Sequence, residues 1–135
     1  MAMLSFRLQA AIGACAAAVV AALTVAVAPA AHAARWGACA VPNDPNKVTA
    51  AICLKGSIEN ERGAAKYAAD TCKYNTRDRQ CHTVVTYTDC GAVALVGNQW
   101  GAGSGPTKQA AEQAALDNLQ VPDGRIVTSA CIPQN

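Results

Sequence analysis

The period of the hydrophobic positions changes along the first half of the chain, and the changes mark four elements. Short runs with β-branched interiors are typical of strands, whereas alanines that recur every three or four positions indicate the buried face of a helix. The predicted elements are strands at 35–41 and 47–54, a helix from Asn60 that buries Ala65, Ala68, Ala69 and Cys72, and a strand from His82 that ends at Cys90. Asn60 suits an N-cap, and the two prolines at 42–46 favour an antiparallel hairpin between the first two strands.

The second half of the chain, from Gly91, repeats this order with shorter connections. Its predicted elements are strands at 92–96, 99–101 and 126–131 and a helix whose buried stripe is Ala111, Ala114, Ala115 and Leu119. Gly97-Asn98 suits a two-residue hairpin turn because both residues tolerate positive φ, and Thr107 suits a helix cap. The stretch 103–106, rich in glycine, is interpreted as a loop that ends the second of these strands.

The two halves can be aligned as copies of one structural unit. The alignment places Gly37-Ala38 on Gly91-Ala92 and the alanines at 64–69 on those at 110–115. We therefore predict two strand–strand–helix–strand repeats, at about 35–90 and about 91–131, although chance similarity between alanine-rich helices is an alternative. The expected fold class is α+β, an antiparallel sheet with two helices and the halves related by a pseudo-twofold axis.

The N-terminal residues have the pattern of a Sec-type signal peptide. Arg7 precedes an apolar run, which ends in the small-x-small site Ala31-His32-Ala33. We predict that residues 1–33 are cleaved and that 34–135 form a single disulfide-bonded domain, secreted or held in the cell envelope. A transmembrane anchor is the alternative, since the run almost reaches the roughly 20 residues that a spanning helix needs. Alanine is only weakly apolar, and Pro29 followed by small residues suits a cleavage site better, so we expect cleavage and no stable membrane insertion once the segment is removed.

Charge and cysteine content narrow the possible functions of this domain. The chain has a formal charge of +2, and the segment 1–33 contributes a single positive charge, which leaves +2 − 1 = +1 for the rest. This is too weak to indicate binding to nucleic acid. Six of the seven cysteines follow residue 33, and an even number in a small exported domain predicts three disulfides. No CxxC or CxxH pair is present, so neither a metal site nor a cofactor is predicted.

The repeat also restricts how these cysteines pair. Cys72 and Cys81 flank a short polar loop, so their Cα atoms can reach the spacing that a bridge requires. Cys90 and Cys131 end equivalent strands, and a bridge between them is expected to join one half to the other. The remaining pair, Cys39 and Cys53, lies on consecutive strands where cross-strand pairing is feasible.

Several motifs together resemble a known family. They are Trp-Gly-Ala-x-Ala at 36–40, the alanine-rich helix that ends in Cys72, the run Cys90-Gly91-Ala92-Val93-Ala94, and the Gly-x-Thr sequence before the second helix. The chain is similar to the uncharacterised-domain family 4189 of small exported bacterial proteins, mycobacterial ones included, from Trp36 to Cys131. The resemblance implies export, a compact disulfide-bonded domain and no established enzymatic activity. It also implies that the Cys39–Cys53 bridge is an addition in this chain, because the family is expected to have apolar residues there.

His82 is the one candidate catalytic residue after position 33. A histidine that acts as a general base needs a nucleophile or an orienting carboxylate beside it. Asp78 and Asp89 are near His82 in sequence, but no motif places either against it. We therefore predict that the protein is not an enzyme, and a small hydrolase that uses His82 is the least favoured alternative.

Two groups of residues are candidates for contact with a partner. Trp36 and Trp100 are expected to pack in the core or on a sheet face, with a surface anchor as the alternative. Lys73, Arg77 and Arg79 form a basic loop between two cysteines, which is either a solvated turn or a contact surface. The predicted function is a secreted binding or effector module, whose partner is an unidentified protein or envelope component. A structural component of the cell envelope is the alternative.

Overall fold

Six strands and two helices form the part of the chain that the computed structural model describes, residues 34–56, 58–77 and 80–134. The strands are β1 (Gly37–Pro42), β2 (Ile52–Cys53), β3 (Cys81–Tyr87), β4 (Cys90–Val96), β5 (Gln99–Gly105) and β6 (Arg125–Cys131). The helices are α1 (Glu61–Thr76) and α2 (Lys108–Leu119), and a short 3₁₀ helix spans Pro45–Ala50. The predicted signal peptide, 1–33, lies outside the described residues.

The strands of the described residues form two antiparallel sheets with the same internal order. The first sheet has the order β2-β1-β3 and the second β5-β4-β6, so the opening strand of each repeat is central. The register shifts between Cys39 and Ala40 in one sheet and between Val93 and Ala94 in the other. These positions coincide when Gly37 is aligned on Gly91. The predicted α+β class with two strand–strand–helix–strand repeats is confirmed, and each repeat has a sheet of its own.

The described residues stack in the order helix, sheet, sheet, helix. Side chains on a strand alternate between its two faces, and β1 shows the consequence. Ala38 and Ala40 pack in the cluster beneath α1, whereas Cys39 and Val41 pack in a cluster shared with Val93 of the other sheet. A third cluster joins β4 to α2. The core therefore consists of three layers, and the two beneath the helices are built mainly of alanine.

The ring of Tyr87 lies in the middle layer and separates the two sheets. Tyr87 is 3 % exposed, and a Cβ atom added at Gly37 or Gly91 would overlap its ring. The Tyr87 hydroxyl donates a hydrogen bond to the backbone carbonyl of Leu54. Burial raises the pKa of Tyr87 to about 12.

Helix α1 begins as predicted and ends one turn later. The Asn60 side chain accepts a hydrogen bond of 2.7 Å from the Gly63 backbone, which confirms the N-cap. The buried face is Ala64, Ala68 and Cys72, so the prediction of Ala65 and Ala69 was wrong by one residue. The helix continues past Cys72 to Thr76, whose hydroxyl bonds the Cys72 carbonyl at 2.7 Å.

The predicted strand 47–54 is replaced by the 3₁₀ helix and the two-residue strand β2. The Asp44 side chain accepts a hydrogen bond of 2.9 Å from the Asn46 backbone, and Pro45 occupies the first turn. Aspartate as a cap with proline behind it starts a helical turn. The predicted antiparallel pairing of the first two strands is confirmed, since β1 pairs with β2, but their connection is longer than predicted because it contains the 3₁₀ helix.

The predicted loop at 103–106 is also wrong, because β5 continues to Gly105. Gly101, Gly103 and Gly105 alternate along β5 and lie against the backbone of α2. A Cβ atom at Gly101 would come within 2.6 Å of the Leu119 backbone nitrogen. The glycines thus let the helix approach the strand closely. Thr107 then caps α2, accepting a hydrogen bond of 3.1 Å from Ala110.

Three disulfides join the cysteines of the described residues. The pairs are Cys39–Cys53, Cys72–Cys81 and Cys90–Cys131, the same pairs that the sequence predicts. Cys90, however, opens β4 instead of ending β3, and it lies directly opposite Cys131 on β6 with 4.0 Å between the Cα atoms. The bridge therefore closes the second repeat, and the expectation that it joins the two halves was wrong.

Removal of the Cys90–Cys131 bridge should destabilise the fold more than removal of Cys39–Cys53. The chain-entropy model gives about 4 kcal/mol for the longer loop and about 3 kcal/mol for the shorter one. Double alanine variants of each pair, compared by denaturant unfolding, measure the two free energies. A larger loss of unfolding free energy on removal of Cys39–Cys53 than on removal of Cys90–Cys131 would contradict this expectation.

Stability should fall in alkali because of Tyr87. Its ordinary pKa is 10.0, so between pH 10 and 12 the unfolded chain loses the proton while the folded protein keeps it. The free energy of unfolding should drop across this window by about 2–3 kcal/mol, and the contribution is fully present below pH 10. Tyr87→Phe should cost about 1 kcal/mol at neutral pH and flatten the alkaline decline. Tyr67→Phe, at an exposed tyrosine, is the control and should leave the decline intact. An equal decline in Tyr87→Phe would show that other groups cause it.

Candidate functional site

A shallow groove lies at the end of the sandwich where α1 begins and β3 ends. Its first part is lined by Asn60, Glu61, Arg62 and Ala65 from the α1 segment and by Thr86 from β3. Its second part shares Thr86 and is lined also by Trp36, Thr88, Asp89, Ser104 and Pro106. We call this surface the end groove. It draws residues from four separate segments of the chain.

The first part of the end groove is positioned by the contact between α1 and β3. Thr86 donates a hydrogen bond of 2.7 Å to one carboxylate oxygen of Glu61, which fixes the direction of that side chain. Asn60 caps the helix, so its side-chain oxygen is already occupied. Arg62 is exposed and forms no ion pair with any described residue. This part of the groove thus presents one oriented carboxylate beside a free guanidinium group.

The second part of the groove is built around Trp36 and Asp89. The Trp36 backbone donates a hydrogen bond of 2.8 Å to Ile58, which holds the residue at the start of β1, and its side chain is half-buried. The Asp89 backbone carbonyl accepts a hydrogen bond of 2.7 Å from Ile132, and its exposed carboxylate makes no ion pair with any described residue. Thr88 and Ser104 are exposed residues that add hydroxyl groups to the lining.

This arrangement is chemically suited to hold a ligand. It combines an aromatic ring, two carboxylates, a guanidinium group and several hydroxyls on a fixed backbone. Within the described residues, no three His, Cys, Asp or Glu side chains are grouped so that they could hold a metal ion. The six described cysteines are all in disulfides.

His82 lies at the opposite end of β3 from the groove. Its Nδ1 atom hydrogen-bonds Oδ1 of Asn43, and its ring centroid is 5.6 Å from that of Trp100. Neither neighbour is a carboxylate or a nucleophile. Asp89 lies beyond the other end of β3, and Asp78, the other carboxylate near His82 in sequence, lies outside the described residues.

The other predicted contact residues do not gather at one place. Trp36 lines the end groove, whereas Trp100, 37 % exposed, lies near the start of β5 beside His82. Lys73 pairs with Asp70 at 3.5 Å, and Arg77 ends α1 in the left-handed conformation with φ of 53°. Arg79 lies outside the described residues.

Sequence reasoning missed Glu61, Arg62, Thr86 and Asp89 as members of a site. No motif connects them, because they become neighbours only when α1 packs on the first sheet. Trp36 was the one groove residue with a signal in the sequence, as one of two tryptophans in the chain.

Neither helix in the described part of the chain is long and apolar enough to cross a membrane.

Comparison with known proteins finds similar proteins in mycobacteria. The uncharacterized proteins Rv1813c of Mycobacterium tuberculosis and Mb1843c of Mycobacterium bovis are each 44 % identical over 54 residues, which is 40 % of this chain and 36 % of each relative. The NMR structure of Rv1813c matches with a TM-score of 0.53 at 24 % identity, over 94 % of this chain and 98 % of that chain, which shows a shared fold. The family model described as "Domain of unknown function (DUF4189)" matches residues 36–131, and the chain therefore belongs to that family.

Proposed function

We propose that the protein is an extracytoplasmic binding module without catalytic activity, and that it binds a protein or an envelope component through the end groove. The observation that carries this proposal is the composition of the groove, with the Trp36 ring and the Glu61 and Asp89 carboxylates on one surface. Ligand sites typically combine an apolar surface with a few placed polar groups.

Three disulfides among the described residues support export. Disulfides persist in oxidising compartments and are rare in the cytosol. The apolar N-terminal segment and its small-x-small site add a second, independent reason to expect export. Whether the protein stays with the envelope as a structural component is decided by fractionation of cells and medium.

The backbone around the groove supports a preorganised site. Thr86 adjoins Tyr87, whose ring is fixed between the sheets, and Asp89 adjoins the disulfide-bonded Cys90. A site whose residues are already held in place loses little conformational entropy when a ligand binds. Rigid support of this kind favours binding at the groove over binding by the basic loop.

A hydrolase that uses His82 is less well supported. The contacts of His82 are an amide oxygen and an aromatic ring, and neither activates a nucleophile. Ester or amide hydrolysis that is lost in His82→Ala would contradict the proposal that the protein is not an enzyme.

The protein, oxidised and immobilised, should retain a component of the culture medium or cell envelope through the end groove. We expect Asp89→Asn and Glu61→Gln together to reduce retention at least about tenfold, because they remove two charged hydrogen-bond acceptors. Tyr74→Ala is the matched control, since Tyr74 is 86 % exposed on α1 outside the groove. Retention that persists in the groove variant, or that is lost in the control, would show that the groove is not the binding surface.

A further inference from the structure

We infer that the end groove binds a neutral, hydroxyl-rich glycan, an inference that rests on the proposed function and specifies its ligand. The groove combines an aromatic side chain with polar groups, and these complement the two kinds of surface on a sugar ring. A pyranose has faces made of C–H groups and a rim of hydroxyls. Trp36 lines the second part of the groove, half-buried against the alanine cluster beneath α1, and the exposed part of an aromatic ring can pack against such a C–H face.

The polar groups of the groove match the rim of hydroxyls. An ionised carboxylate only accepts hydrogen bonds and has room for several, so Glu61 keeps acceptor sites after its bond with Thr86. Asp89 is exposed, and its carboxylate forms no ion pair with any described residue. The hydroxyls of Thr88 and Ser104 both donate and accept, as sugar hydroxyls do.

The charges favour a neutral ligand over a polyanion. Two carboxylates, Glu61 and Asp89, outnumber the single guanidinium of Arg62 along the groove. An anionic polymer would be repelled at two points and attracted at one. Because the two parts of the groove meet at Thr86 and are open to solvent, the shape fits several linked rings more readily than one enclosed monosaccharide.

An extended peptide is the competing ligand, and the edge of β3 argues against it. A peptide that adds a strand needs a regular edge with evenly spaced backbone groups. The pairing of β1 with β3 skips Val84, so a bulge interrupts β3 near its middle. Bulges at sheet edges oppose the addition of further strands.

The test is a titration of the oxidised protein with the tetramer of N-acetylglucosamine, followed by backbone amide shifts in NMR spectra. We expect shifts that saturate at residues 60–62, 86–89 and 104, and no comparable shifts around His82. Asp89→Asn should weaken binding about tenfold while leaving the spectrum of the free protein otherwise unchanged. Trp36→Ala should abolish it, and Trp100→Ala, at the other tryptophan, should leave the dissociation constant unchanged.

The outcomes separate this inference from the proposed function. Suppose that the tetramer does not bind at millimolar concentration, but that Asp89→Asn and Glu61→Gln together still abolish retention of the envelope component. The glycan assignment is then wrong, and the proposal of a binding module at the end groove is retained. If a sulfated polyanion or an extended peptide competes at the groove and the tetramer does not, the assignment is likewise overturned. If the tetramer binds equally well to Asp89→Asn and to Trp36→Ala, it binds elsewhere and the inference fails.

Discussion

The packing of one tyrosine ring against two glycines constrains the rest of this structure. Gly37 is the first residue of β1 and Gly91 the second residue of β4, and both must lack a side chain because the Tyr87 ring fills the space between them. Gly37 pairs with Tyr87, whereas Gly91 pairs with Ala130, so one half supplies a large side chain where the other supplies a methyl group. The middle layer that the two halves share therefore holds one aromatic ring, with smaller side chains such as Val41 and Val93 packed in the same cluster. The Tyr87 hydroxyl then needs a buried partner, and the Leu54 carbonyl provides one.

The layers between each helix and its sheet are thin because the chain has few large side chains. Aromatic residues make up 4 % of the chain, so each helix meets its sheet through alanine and glycine, as at Ala68 on α1 and Gly103 on β5. Small side chains permit close approach but bury little apolar area each. Disulfides offset this deficit, since each stabilises a small domain by about 2–4 kcal/mol, against a total stability of about 5–15 kcal/mol. The cysteines are therefore as much a part of the core as the alanines.

Sequence patterns predicted what depends on local chemistry and failed where packing decides. The caps Asn60 and Thr107 were identified because a side-chain oxygen must satisfy the first helical N–H groups. The buried face of α1 was misplaced because Ala64-Ala65 and Ala68-Ala69 satisfy either choice. The sequence predicts only the first half of β5, because the alternating glycines of its second half have low strand propensity and only contact with α2 explains them. The end groove had no local signal, since α1 and β3 bring its residues together.

The end groove lies where the first repeat lacks a disulfide that the second repeat has. With Gly37 aligned on Gly91, Trp36 takes the place of Cys90 and Thr88 takes the place of Cys131. In the second repeat these two positions are joined by the disulfide that links β4 to β6. In the first repeat both positions line the groove without a covalent bond between them, and Cys90 contributes to the same lining. There the strands are held together instead by the Cys39–Cys53 bridge between β1 and β2 and by the hydrogen bond from the Tyr87 hydroxyl to the Leu54 carbonyl. Once those contacts hold the first sheet together, its strand ends need no covalent bond of their own, and their side chains are available to bind a ligand.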